Sequence, residues 1–281
     1  MNGDYYIWQK LKRKNTFAVE DMLRNIEDDY VCACGRFLVR EAGRDSIWTL
    51  SGKRNELIKA IIINSKSTLI PVLCGIKEIP EPKFINSLIK KKNIHSVQGL
   101  AREVSILEAA MERYNKKPID AYDYDLMELN KPLQNQKHPS NLVLRVPRLT
   151  DLDALAPLQA GYEHEEVLPK GSVFSPAASR VNLANIVAGG KILAAELNGK
   201  LIGKINVSAK SFTRYLVGGV YVHPDFRGLG IAKAMASAFI TSLINDGMGV
   251  TLFVKKPNLA ARKLYLALGF TVRGDYRIAY Y

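Results

Sequence analysis

The feature that most constrains this chain is a turn with two glycines between an apolar strand and an apolar helix. Residues 218–240 read GGVYVHPDFRGLGIAKAMASAFI. The first turn of a helix presents unpaired backbone N–H groups, and glycine lets an anion come close to them. Gly228 and Gly230 open this turn, and Arg227 adds positive charge. The segment therefore predicts an anion-binding site at the start of the helix.

Two common nucleotide-binding motifs fail on this segment. A P-loop requires GxxxxGK[ST], and the sequence contains no such string. A Rossmann fingerprint requires an acidic residue about 20 positions beyond its glycines, but Asp246 comes too early and at a helix end. What remains is R-x-x-G-x-A, met by Arg227, Gly230 and Ala232 directly after a strand that ends in VYVHP. A glycine-rich turn that binds nothing is the structural alternative.

On these residues the sequence resembles the GNAT superfamily of acetyl-CoA-dependent N-acetyltransferases. The resemblance extends to a later helix with Asn258, Ala261, Tyr265 and the string LGF at 268–270, and it covers about residues 142–281. It implies an α/β (α+β) GNAT fold, with a mixed, mostly antiparallel sheet and flanking helices. It also implies that the strand after the glycine loop splays away from the strand before it.

The resemblance implies acetyl-CoA as the acyl donor, held by the strand, the loop and the later helix. Backbone groups of the strand would bind the pantetheine arm, and the loop would wrap the pyrophosphate. The implied cofactor-binding residues are Val220, Tyr221, Val222, Arg227, Gly228, Leu229, Gly230, Ile231, Ala232, Lys233, Asn258 and Ala261.

Acyl transfer to an amine needs a neutral nucleophile, donors for the carbonyl oxygen and a proton for the departing thiolate. By resemblance, Tyr265 supplies that proton as general acid, and a backbone N–H near Tyr221 or Val222 holds the oxygen. The structural alternative for Tyr265 is a core aromatic. Many family members carry a carboxylate on the strand before the loop, where this chain has Gly218-Gly219. Glu196 is the candidate base, with a solvent-facing glutamate and a water chain as alternatives.

An acidic cluster follows the first predicted helix of this half. Glu163, Glu165 and Glu166 are candidate acceptor-site residues for a cationic amine, and a solvated acidic helix end is the alternative. The acceptor is expected to be an amine on a small molecule, a peptide or a protein. The sequence identifies neither the amine nor the oligomeric state.

A polar, proline-bearing stretch at 131–141, KPLQNQKHPSN, predicts a linker. We expect an N-terminal α/β domain over 1–134 and a GNAT N-acetyltransferase domain over 142–281. The second half contains an antiparallel hairpin at Asn198-Gly199 and ends in two predicted closing strands, FTVRG and YRIAYY.

The first half repeats much of this order. Its predicted strands include RFLVRE at 36–41, and it lacks an R-x-x-G-x-A loop. It is therefore interpreted as a degenerate GNAT-like copy left by an old duplication, and only one cofactor site is expected.

Composition narrows the function classes. The net charge of +13 suggests an anionic partner, but no aromatic-interleaved RNA motif accompanies the basic runs, so nucleic acid is not favoured. The spacing of the three cysteines and four histidines predicts no metal site. No apolar run suits a membrane span, and a cytoplasmic location is expected.

The leading interpretation is direct acetyl transfer to a primary amine in a ternary complex. Two alternatives stay open at this point. One is a non-catalytic module that binds or senses coenzyme A, which the missing strand carboxylate would suit. The other is a basic nucleic-acid-binding adaptor, which would use the net charge.

Overall fold

The computed structural model describes residues 6–41, 45–52, 57–129, 131 and 141–281. The chain forms two compact units. Unit 1 consists of Met1–Leu126 together with the C-terminal segment Arg273–Tyr281, and unit 2 consists of Met127–Val272. The last strand of the chain therefore belongs, for most of its length, to the first unit.

The two halves of the chain contain strands and helices in a similar order. The first part of the chain contains β1 (Tyr6–Lys10), α1 (Thr16–Asn25), α2 (Val31–Leu38), β2 (Ser46–Gly52), β3 (Ile58–Ser65), β4 (Thr68–Val72), α3 (Pro82–Lys91), β5 (Ser96–Leu100), α4 (Ala101–Glu112) and β6 (Asp120–Leu129). The second part contains β7 (Leu142–Arg145), α5 (Leu152–Tyr162), α6 (Pro176–Ala188), β8 (Ile192–Leu197), β9 (Lys200–Lys210), β10 (Arg214–Val222), α7 (Ile231–Asn245), β11 (Gly249–Lys255), α8 (Leu259–Ala267) and β12 (Thr271–Tyr280).

Unit 1 is built on a sheet of order β1-β2-β3-β4-β5-β12-β6. The pairs β1–β2, β2–β3, β3–β4 and β5–β12 are antiparallel, and the pair β4–β5 is parallel. The partners of β12 in β5 run from Tyr276 opposite Leu100 to Tyr280 opposite Ser96. Ala279 is fully buried in the core of this unit, so the end of the chain is an integral part of its sheet.

Unit 2 orders its strands β11-β10-β9-β8-β7, with the end of β6 beside β11. Asn198 and Gly199 have φ of 50° and 78°, as a two-residue hairpin turn between β8 and β9 requires. One face of the sheet packs on α7 and α8, in a core that includes Met235, Phe239 and Tyr265. The other face packs on α5 and α6 through a smaller core. The pair β10–β11 is parallel and is crossed over by α7.

The predicted fold class is confirmed, and two local predictions were wrong. Residues 31–38 form helix α2 rather than the predicted strand at 36–41, because Val31, Cys34 and Phe37 bury one helical face. The two predicted closing strands are one continuous strand, β12. The predicted linker at 131–141 lies outside the described residues apart from its two end positions, and the proposed domain boundaries at 134 and 142 stay a prediction.

Candidate active site

Strands β10 and β11 separate part-way along their length. Their pairing runs from Arg214 opposite Gly249 to Val217 opposite Leu252 and goes no further among the described residues. Strand β10 continues to Val222 and β11 to Lys255, so the backbone of residues 218–222 faces a gap on this side. Because an unpaired strand edge offers its N–H and C=O groups to a partner, an extended ligand can pair there.

A β-bulge lies on β10 at the same level. Gly218 pairs with Asn206 and Tyr221 with Lys204, so Gly219 and Val220 together oppose a single residue of β9. Gly219 has φ of 61°, which favours glycine. A bulge breaks the regular ladder and re-aims backbone groups, a feature that is common beside active sites. Here the ladder with β9 is interrupted at Gly219 and Val220 and resumes at Tyr221, just beyond the point where the pairing with β11 stops.

The turn before α7 forms an open cradle of backbone N–H groups. Gly228 and Gly230 have φ of 80° and 76°, and a Cβ added to either would meet no atom within 4 Å. Within the described part of the chain, the backbone N–H groups of residues 228–233 have no acceptor. Free donors around open space at a helix N-terminus bind phosphate oxygens.

Arg227 lies across the end of β10. Its Nε donates to the carbonyl oxygen of Val222 at 2.9 Å, and its guanidinium lies 5.2 Å from the ring centroid of Tyr221. Its Nη2 donates to both carboxylate oxygens of Glu165 at 2.9 Å each. The Tyr221 hydroxyl also donates to Glu165, at 3.1 Å.

The acidic cluster forms a single π-helical turn, Glu163–Val167, that continues α5. Glu165 contacts the β10 side of the gap, through Arg227 and Tyr221. Glu166 contacts the β11 side, where it accepts a hydrogen bond from Asn258 Nδ2 at 3.1 Å and lies 3.6 Å from Lys255 Nζ. This acidic turn, residues 163–167, therefore bridges the two strands where they separate.

Asn258 begins α8. Its Oδ1 accepts a hydrogen bond from the backbone N–H of Ala261 at 3.0 Å, so it serves as the N-cap. The two residues predicted on this helix, Asn258 and Ala261, thus lie beside the gap. The Asn258 amide accepts a hydrogen bond from Ala261 and donates one to Glu166.

Tyr265 projects from α8 into the core and is buried. Its ring packs edge-on against Phe270, with centroids 5.6 Å apart. Burial raises the pKa of Tyr265 well above its usual value, and the nearby Tyr162 and Glu166 raise it further. The hydroxyl therefore stays protonated at neutral pH, as a proton donor must.

Glu196 lies on β8, two strands away from β10. It accepts a hydrogen bond from Arg145 Nε at 2.7 Å, and the same guanidinium forms a bidentate pair with Asp151. This ion-pair network ties β7 to β8 and to the start of α5. The arrangement favours a structural role for Glu196 over the role of base.

The sequence profile of the acetyltransferase (GNAT) family matches residues 160–270. That span contains the bulged strand, the glycine cradle, the acidic turn and Tyr265. These residues form a GNAT acetyltransferase domain. The resemblance inferred from Arg227, Gly230 and Ala232 is confirmed, and the GNAT family supports an acyltransferase that takes its acyl group from acetyl-CoA.

Solved structures share the fold over nearly the whole chain. A GCN5-related N-acetyltransferase from Sphaerobacter thermophilus is 16% identical, with a TM-score of 0.66 over 98% of this chain and 94% of that one. A tandem GNAT protein from the clavulanic acid biosynthesis pathway is 13% identical, with a TM-score of 0.61 over 98% of each chain.

A GNAT acetyltransferase from Colwellia psychrerythraea gives 12% identity and a TM-score of 0.59, again over 98% of each chain. No curated protein matches the sequence. At these identities the likeness shows the fold, which agrees with a GNAT-like layout in both units of the chain.

The residues of the GNAT domain fit acetyl-CoA. The cradle around Gly228 and Gly230 would hold the pyrophosphate, because it offers free N–H groups and the space that a Cβ would fill. The free edge of β10 suits an extended amide-bearing arm. Among the described residues, no group of three or more His, Cys, Asp or Glu is arranged to bind a metal ion.

Sequence reasoning missed one residue of this region. Lys204, on β9, is fully buried behind the bulge, and its Nζ donates to the carbonyl oxygen of Gly219 at 3.0 Å. The signal was in the sequence, since a lysine inside the apolar strand LIGKINV is unusual at a buried position. In the part of the chain that the structure describes, no helix has the length and hydropathy of a transmembrane span.

Proposed function

We propose that the chain transfers an acetyl group from acetyl-CoA to a primary amine by direct attack within a ternary complex. The observation that carries the proposal is the coincidence of three features in one gap: the strand edge at 218–222 that β11 does not pair with, the bulge at Gly219 and the open cradle at 228–233. Together they suit a ligand whose extended arm leads to a pyrophosphate.

In this mechanism the N–H groups of the cradle bind the pyrophosphate, and Val220, Tyr221 and Val222 offer backbone groups to the pantetheine arm. A backbone N–H near Tyr221 or Val222 stabilises the negative charge that develops on the thioester oxygen. Tyr265 gives its proton to the departing thiolate. Bound acetyl-CoA supplies the activated acetyl group.

Acceptor recognition is assigned to the acidic turn, residues 163–167. Glu165 and Glu166 border the gap and are already paired with basic or amide groups, and Glu163 on the same turn accepts a hydrogen bond from Gln159 Nε2 at 2.6 Å. A cationic amine on a small molecule, a peptide or a protein would compete for these carboxylates. The proposed location is the cytoplasm, in keeping with the three free cysteines.

A turnover screen tests the proposal. Purified protein is incubated with acetyl-CoA and a panel of polyamines, amino acids, aminoglycosides and peptides with free N-termini, and thiol release is followed. Acetylated product, confirmed by mass, is the expected result for at least one amine. Gly230→Ala, which perturbs the cradle, should lose that turnover at low acetyl-CoA.

Two results would point elsewhere. Calorimetric binding of acetyl-CoA without transfer to any amine would favour a coenzyme A sensing module. Tight, salt-dependent binding to RNA or DNA without acetyl-CoA binding would favour a nucleic-acid adaptor.

A further inference from the structure

Lys204 is a buried lysine at the centre of the GNAT domain. Its side chain has no exposed surface, and Nζ donates to Asn206 Oδ1 at 3.1 Å and to the Gly219 carbonyl at 3.0 Å. Its Nζ also lies 4.8 Å from the ring centroid of Tyr162. A lysine is almost never buried in this way without a partner charge.

The two glycines of β10 make room for this side chain. A Cβ on Gly219 would overlap the Asn206 amide and lie 2.9 Å from Lys204 Nζ, and a Cβ on Gly218 would overlap the Ser208 hydroxyl. Lys204, Asn206 and Ser208 alternate along β9 and so share one face. Polar groups that β10 lacks at Gly218-Gly219 are therefore supplied by the neighbouring strand.

The burial of Nζ without a close counter-charge favours the neutral amine. Among the described residues, no carboxylate lies within ion-pair distance of Nζ, and the two acceptors match the two N–H groups of a neutral amine, which leaves its lone pair free. Burial lowers the pKa of Lys204 to about 7, while the charge of Glu163 acts in the opposite direction. The groups around Nζ are thus Asn206, Gly219, Tyr162 and, at longer range, Glu163.

We propose that Lys204 is a positioning residue that holds the bulge at Gly219 and takes up the proton that the acceptor ammonium loses before it attacks. This inference rests on the proposed transferase function. Because Nζ has no exposed surface, the proton reaches it through an intervening hydroxyl, for which Tyr162 is the candidate. Tyr162 covers Nζ with its ring, and its hydroxyl interacts with the backbone N–H of the same Gly219.

The proton balance is simple. The acceptor R–NH3+ gives one proton towards neutral Lys204, which becomes an ammonium, and R–NH2 attacks the thioester carbon. The new C–N bond forms as the C–S bond breaks. The thiolate takes a proton from Tyr265, which recovers one from the acylated nitrogen, and Lys204 later returns its proton to solvent. One proton is released for each turnover.

The pH profile of Lys204→Met is the first test. Met keeps the apolar stem but removes Nζ, and Lys210→Met, at the exposed end of the same strand, is the matched control. With spermidine, or whichever ammonium acceptor the screen returns, wild-type kcat/KM should rise with pH through about 7 and then level off. The kcat/KM of Lys204→Met should be about 10²-fold lower than that of wild type at pH 8. It should continue to rise above that pH, because only the free amine can react in this variant.

The choice of acceptor separates proton uptake from packing. Hydroxylamine is largely unprotonated at neutral pH, so Lys204→Met should affect its acetylation by less than about tenfold. Equal losses for both acceptors, with an unchanged pH profile, would overturn the inference and leave Lys204 as a packing residue. Lys204→Gln serves if the Met variant does not fold.

A second readout does not depend on turnover. In wild-type protein labelled with 13C at lysine Cε, one signal that is missing from Lys204→Met should titrate near pH 7. A Lys204 signal that remains that of an ammonium up to pH 9 would overturn the inference. If this titration is seen but no amine is acetylated, the transferase function fails and the neutral state of Lys204 stands.

Discussion

Both carboxylate oxygens of Glu165 accept a hydrogen bond from one nitrogen of Arg227, Nη2, at 2.9 Å each. By resemblance to the GNAT family, Arg227 belongs to the loop that wraps the pyrophosphate. The arginine that the cofactor would use is therefore already paired with a carboxylate of the same chain. The side chains of the pair are 47% and 44% exposed, which limits the strength of the ion pair to under about 1 kcal/mol.

Glu165→Gln should therefore tighten acetyl-CoA binding only modestly. We expect the Kd measured by calorimetry to fall by about two- to fivefold, because Arg227 no longer has to leave a carboxylate. Asp153→Asn, which removes an exposed ion pair with Arg180, should leave the Kd unchanged. A weaker affinity in Glu165→Gln would show that the pair preorganises Arg227.

Gly230→Ala should weaken acetyl-CoA binding by about tenfold or more. The added methyl group fills the cradle, and φ of 76° strains any residue other than glycine. Gly190→Ala is a matched control, since Gly190 has φ of 69° and equally open surroundings at the end of α6. Both variants should lose about 1 kcal/mol of stability, and equal Kd values would place the cofactor elsewhere.

Local signals in the sequence predicted the parts of the fold that depend on local chemistry. Asn198-Gly199 fixes a hairpin, and Gly228 and Gly230 fix the cradle, because each requires a positive φ. The strand predicted at 36–41 was wrong at residues 36–38, which end helix α2, since a short apolar run has no clear period.

The sequence alone could not predict contacts between residues that are far apart in the chain. Nothing local to Tyr276–Tyr280 shows that its partner is β5, and nothing near Glu196 shows that Arg145 holds it. Lys204 could have been noticed as a charge in an apolar strand, but its contact with Gly219 depends on the bulge. The role of Lys204 could therefore be inferred only from the three-dimensional structure.

Removal of residues 273–281 should destabilise unit 1. The deletion leaves the hydrogen-bonding edge of β5 exposed and removes the buried Ala279 from the core. Amide hydrogen exchange at residues 96–100 should accelerate by at least about 10²-fold, while exchange in α7 should change little. Unchanged protection in β5 would mean that the C-terminal segment is dispensable for this unit.

Tyr265→Phe should slow acetyl transfer and leave acetyl-CoA affinity nearly unchanged. The ring and its contact with Phe270 remain, but the proton donor is lost, so the single-turnover rate should fall by about 10²-fold. Tyr215→Phe, in the same core, is the control for the loss of a tyrosine hydroxyl. An unchanged chemical rate would make Tyr265 a core residue and leave protonation of the thiolate to water.

Lys204 should also make stability depend on pH, whatever the reaction. Its pKa is about 7 in the folded protein and about 10.4 in an unfolded chain. Between these values the unfolded state holds one more proton, so the free energy of unfolding rises with pH across this window. The free energy of unfolding of wild type, measured by urea unfolding relative to that of Lys204→Met, should increase by on the order of 3 kcal/mol between pH 7 and about 9.5.

Lys210→Met controls for the loss of an exposed lysine on the same strand, and its difference from wild type should not vary with pH. If the difference between wild type and Lys204→Met were the same at both pH values, Lys204 would have to be charged in the folded protein. A buried charge without an ion-pair partner would then need compensation from Asn206, the Gly219 carbonyl and the Tyr162 ring, with the Glu163 carboxylate acting only at longer range. Those three groups supply no negative charge, which is why we expect the neutral amine.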